Sequence, residues 1–146
     1  MNRLRIFILS LAVLLSGLAA HAADEPPAPA VTTAPVVLDG TELFRVRGAL
    51  ALPAAERAHA ISARIAAFAA DRSRATSALR ITEAADRSVV RVGDQALITV
   101  VDADAELEAL SRQQVAELHQ KRIAEAVGRY RQDRSPAVLL RAAVSA

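Results

Sequence analysis

The chain has 146 residues, enough for one domain, and of its 53% hydrophobic residues 34 are alanine, with three Phe, one Tyr and no Trp. Any core is therefore built from Val, Ile, Leu and Ala, in a size class where much of the surface stays exposed. Eighteen basic residues, all Arg except Lys121, face sixteen acidic ones, and the absence of Cys excludes a disulfide framework and thiolate chemistry.

Arg3 and Arg5 open the chain, Ile6 to Leu18 is a short apolar run, and Ala20-His21-Ala22 places small residues where a signal peptidase reads. This pattern predicts a secretory signal peptide over residues 1–22. The alternative, an uncleaved anchor, needs about 20 apolar residues, and the run is shorter. Cleavage removes Arg3 and Arg5 and leaves 16 basic and 16 acidic residues. A neutral mature chain lacks the net basic face of a nucleic-acid binder, so no nucleic-acid partner is expected. Residues 23–37 carry Pro26, Pro27, Pro29 and Pro35 among Ala and Thr, which predicts an extended tether. The folded domain is expected over residues 38–135.

Within it, "TELFRVRG" sets Phe44 and Val46 on one face and Leu43, Arg45 and Arg47 on the other, as a half-buried strand does. Pro53 then suits a first helical turn. Ala54, Ala58, Ile61, Ile65 and Phe68 form an apolar stripe, with Glu56, Arg57, His59 and Arg64 off it, predicting a helix over 53–70. Leu79 and Ile81 suggest a strand. "SVVRV" and "QALITVV", separated by Gly93-Asp94, suggest a hairpin. Ser111 and Gln114 match a capping box, with Leu110 and Val115 as its hydrophobic staple. Ala116, His119, Ile123, Ala126, Val127 and Tyr130 continue that helix to about Arg134. The order β-α-β-β-β-α predicts an α+β fold: a small, mostly antiparallel sheet of about four strands with two helices on one face.

No catalytic constellation emerges. Asp102, Asp104 and Glu106 alternate like the start of a calcium loop, but Leu107 and Gln113 stand where that loop needs Gly and a bidentate Glu. The plainer reading is a solvated strand exit feeding the dipole of the next helix. His59 is expected at the surface, and His119 at the core boundary with one hydrogen bond; neither has a second ligand at i+3 or i+4 for zinc. Neither a nucleophile elbow nor a glycine-rich phosphate loop is present. No enzyme activity, metal or cofactor is therefore expected. Arg45 and Arg47 are the candidate partner-binding face, although isolated surface charge is a weak signal.

Four segments in order, "LDGTELFRVRG", "ERAHAISARIAAFAAD", "VGDQALITVVDADA" and "LSRQQVAELHQKRIAEAVGRYRQDRS", resemble the N-terminal periplasmic region of bacterial proteins in the small-conductance mechanosensitive channel family. The likeness spans residues 38–135. Leu52-Pro53 departs from it, replacing a Ser-type cap. The resemblance implies a non-catalytic periplasmic domain adjoining the inner membrane. Membrane helices, a tension-gated pore and a homo-oligomeric channel core would lie beyond this chain. On that reading, residues 136–146 resemble the approach to a first membrane helix. Eleven helical residues rise about 16 Å, half of a ~30 Å hydrocarbon core. The rival expectation is a freestanding periplasmic adaptor that binds protein through the face with Arg45 and Arg47, or through an open sheet edge.

Overall fold

The computed structural model describes residues 31–49 and 51–136. The predicted signal peptide and residues 137–146 lie outside the described residues. The fold is α+β, but the described residues form five strands in two antiparallel sheets and three α-helices rather than one sheet of about four strands with two helices.

The first strand corrects the predicted tether. β1 (Thr33–Leu38) pairs with β2 (Thr41–Arg47), so order begins before Leu38. Proline is tolerated here because β1 has only one strand neighbour, and an edge position requires no ladder donor from Pro35. Ala34, Val36 and Leu38 alternate into the core opposite the Phe44 and Val46 face of β2. Asp39 and Gly40, at φ +54° and +77°, supply the tight turn that twists with the strands.

Helix α1 (Ala54–Ala70) comes next, one residue later than expected, with Pro53 at its N-cap position instead of in the first turn. Its Ser62 hydroxyl accepts from the Val37 N–H at 2.9 Å and donates to the Ala58 carbonyl, tying the helix to β1. The second sheet has the order β3 (Leu79–Glu83), β4 (Ser88–Val92), β5 (Gln95–Val100). Gly93, at φ +55°, opens the two-residue loop between β4 and β5. Val90 pairs with Ile98 and Arg91 with Ala96, leaving Leu97 as a bulge residue. That extra residue lets Leu97 and Ile98, although consecutive, both turn inward.

The acidic stretch expected as a strand exit instead forms α2 (Asp102–Glu108), closed by Ala109 in the left-handed region. Helix α3 (Arg112–Asp133) starts with the expected capping box. Gln114 N–H donates to Ser111 Oγ at 3.2 Å, and Ser111 N–H donates to Gln114 Oε1 at 3.0 Å. The predicted staple is only half realised, because Val115 is buried and Leu110 stays 41% exposed.

α1 packs chiefly on β1 and β2, α3 on β3 and β4, and the two helices on each other. They run in the same direction. The Arg57 end of α1 meets α2, just before α3 begins, and the far end of α1 meets Arg131 near the end of α3. The described chain thus enters the β1–β2 ribbon at one pole, where Thr33 pairs with Arg47, and leaves α3 at the other, where Arg134 meets Asp39.

Candidate functional site

Two polar clusters stand out, one at each pole. At the entry pole lies a buried ion pair. Arg57 sits three residues after Ala54 and four before Ile61, so it lies on the buried stripe of α1 rather than off it. It is 7% exposed and Asp104 is 1% exposed. The guanidinium donates to both Asp104 carboxylate oxygens at 2.7 Å, and also to the Arg47 carbonyl at 2.8 Å and the Thr99 carbonyl at 2.6 Å. Asp104 in turn accepts from the Val101 N–H at 3.1 Å and the Arg47 N–H at 3.4 Å. The pair therefore joins the end of β2 to the end of β5, where the two sheets share no ladder. A buried charge survives only when paired and hydrogen-bonded, and here Arg57 donates four bonds and Asp104 accepts four.

The two sequence-predicted arginines of β2 diverge. Arg45 is exposed and bonds within its own ribbon, to Thr33 Oγ1 at 3.0 Å and Glu42 at 3.3 Å. Arg47 reaches α2, donating to Glu106 at 2.8 Å. Each guanidinium thus holds a carboxylate from its own chain. Of the calcium-like acids, Asp104 binds Arg57, Glu106 binds Arg47, and Asp102 binds Arg112 at 2.8 Å. Among the described residues no cluster of His, Cys, Asp and Glu suits a metal ion.

His59 is exposed, as expected. His119 is not the boundary residue with one hydrogen bond that its position suggests. It is fully buried, and neither ring nitrogen has a hydrogen-bond partner. Its ring stacks on Phe44, with centroids 3.8 Å apart and planes 14° from parallel. Burial, the largest influence, pushes the imidazole down to about 4; Asp104 opposes this, while Arg122 and Arg57 add to it. A neutral ring buried with unmet polar groups costs about 1–3 kcal/mol per group.

At the exit pole the C-terminal ends of α1 and α3 cap each other. Arg131 of α3 donates to the Phe68, Ala69, Asp71 and Arg74 carbonyls, at 2.7 to 3.1 Å, and lies 5.1 Å from the Phe68 ring centroid. Arg72, just past α1, donates to the Arg131 and Arg134 carbonyls at 3.0 and 2.8 Å. Arg134 stands 4.0 Å over the Tyr130 ring and forms two bonds to Asp39. Cations at helix C-termini satisfy orphan carbonyls and oppose the dipole. A shallow cleft of about 220 Å³ beside them is lined by Leu38, Asp39, Tyr130 and Asp133, at the pole opposite the ion pair.

A family model described as a domain of unknown function, DUF8459, matches residues 35–130. The chain belongs to the DUF8459 family. That match begins inside β1, so the family domain takes in most of the strand that the proline content concealed. It also takes in Arg57, Asp104 and His119, while Arg131 and Arg134 fall just past it. No curated protein and no solved structure matches the chain. No helix among the described residues is long and apolar enough to cross a membrane.

Proposed function

We infer that this DUF8459 domain is an exported, non-catalytic module of a mechanosensitive channel-like membrane protein, lying outside the inner membrane and fixed by α3 to the membrane-embedded part of that protein. The pore and any homo-oligomeric core belong to segments beyond the domain. The reciprocal arginine caps carry this reading. Arg131 and Arg72 pin the last turn of α3 to the end of α1 and the loop after it through six side-chain-to-backbone bonds, so α3 leaves the domain in a fixed position. A ligand-binding loop needs no such collar; a part that passes position or force onward does.

The freestanding adaptor reading draws less support. Arg47 is engaged by Glu106, which leaves Arg45 as the exposed member of the proposed face.

The test is deletion of the segment equivalent to residues 38–134 from a full-length channel with the same pattern, with opening pressure recorded by patch clamp. A shifted threshold, or loss of assembly, is expected. An unchanged threshold with normal assembly overturns the reading.

A further inference from the structure

The chain folds as two halves in sequence order: β1, β2 and α1 first, then β3 to β5 with α2 and α3. Among the described residues each β-sheet stays within a half, so no ladder crosses between them. The halves are joined by helix packing, by the arginine contacts at the two poles, and by one aromatic contact inside, the stack of His119 from α3 on Phe44 from β2.

We propose that the His119–Phe44 stack is an acid-released latch that holds the β1–β2 ribbon against α3. The geometry is that of a switch. The imidazole is fully buried, both nitrogens lack partners among the described residues, and the Phe44 ring facing it from β2 offers no hydrogen-bond acceptor, only a cation–π attraction that opposes the larger cost of burial. A second proton would place a positive charge there with no acceptor within bonding reach. The charged groups acting on the ring are Asp104 from α2, Arg57 from α1 and Arg122 on α3 itself. The Asp104 carboxylate is already bonded twice by Arg57, and again by the Val101 and Arg47 N–H groups. It has little capacity left for an imidazolium. Charged residues of β3 and β4 are also engaged: Arg80 with the Ser77 and Leu79 carbonyls, Glu83 with Ser88, and Arg91 with the Gly93 and Asp94 carbonyls.

Linkage sets the direction. The closed form binds the proton only near pH 4, whereas a solvated imidazole binds it near 6.5, so acid favours the open form. The effect begins as pH falls through 6.5 and is nearly complete at about 4. From pH 7 to 4.5 the opening constant should rise roughly fifty-fold. Opening should show first in the ribbon, because a two-stranded ladder barely holds without neighbours, while β4 is flanked on both sides.

Amide exchange on the full chain, corrected for its intrinsic pH dependence, tests this alongside an NMR titration of the His119 ring. The expected result is loss of protection in β2 by that factor, much less in β4, and a ring that stays neutral to about pH 4. His119→Leu should abolish the pH dependence in β2. A ring that titrates near 6.5, equal loss in β2 and β4, or an unchanged pH response in His119→Leu overturns the proposal. If His119→Leu does not fold, the ring titration and the comparison of β2 with β4 in the wild-type chain still decide it.

Discussion

Replacing Asp104 by Ala is the sharpest test of how the entry pole is held together. The substitution removes both charge-assisted bonds at 2.7 Å and leaves Arg57, 7% exposed, with carbonyl partners but no counter-charge. It also strands the Val101 and Arg47 N–H groups. Breaking a buried pair from one side costs about 3–5 kcal/mol. Small domains have about 5–15 kcal/mol in total, so the variant should sit near the edge of folding. Urea denaturation at pH 7 reads this directly. With a slope of roughly 2 kcal/mol per molar, the midpoint should fall by about 2 M at unchanged slope. Adding Arg57→Met to an Asp104→Leu background should recover most of the loss, since an apolar pair of similar volume often substitutes at little cost. The reasoning fails if Asp104→Ala costs less than about 1 kcal/mol, or if the double variant is as unstable as the single one.

Arg131→Ala should destabilise by about 1–3 kcal/mol, because it frees two carbonyls at the end of α1 and two in the loop after it; thermal melting, with amide exchange localised to residues 67–74, checks it. Ser111→Ala should cost about 1 kcal/mol by removing the N-cap of α3, read by denaturant midpoint. Gly128→Ala should stabilise by about 0.5–1 kcal/mol, since an added Cβ meets nothing within 4 Å on the exposed face of α3. Gly48→Ala should do the opposite, by about 1–3 kcal/mol, because its Cβ would lie 3.0 Å from the Leu52 carbonyl oxygen. Paired melting curves of these two variants separate the cases.

Both long helices were legible in the sequence because their signals are local. The stripe from Ala54 to Phe68 and the Ser111–Gln114 box each fix a helix within a few residues of its observed ends. The β4–β5 hairpin was legible through Gly93. β1 was not, because Pro35 and the three prolines before the strand outweigh the Asp39-Gly40 turn that signals a hairpin, and an edge strand escapes the usual cost of proline. The split into two sheets is set by tertiary packing, which no local period reports. The ion pair is hidden in the sequence because the charge of Arg57 argues against burial where its spacing argues for it, and Asp104 stands in a pattern resembling a loop motif. Their partnership spans 47 residues and leaves no local trace. His119 was rightly placed on the buried stripe, but its missing hydrogen bonds depend on what β2 brings opposite, and that is Phe44.

Because the ribbon enters at one pole and α3 leaves at the other, a pull on both ends would run through the whole domain in series. α3 would be drawn lengthwise along its neighbours, so the load would fall as shear on many contacts together instead of peeling them one by one. The arginine collar at the exit would meet that load first. It would share that load with the packing along α3, and the two would have to give together before the module lengthened.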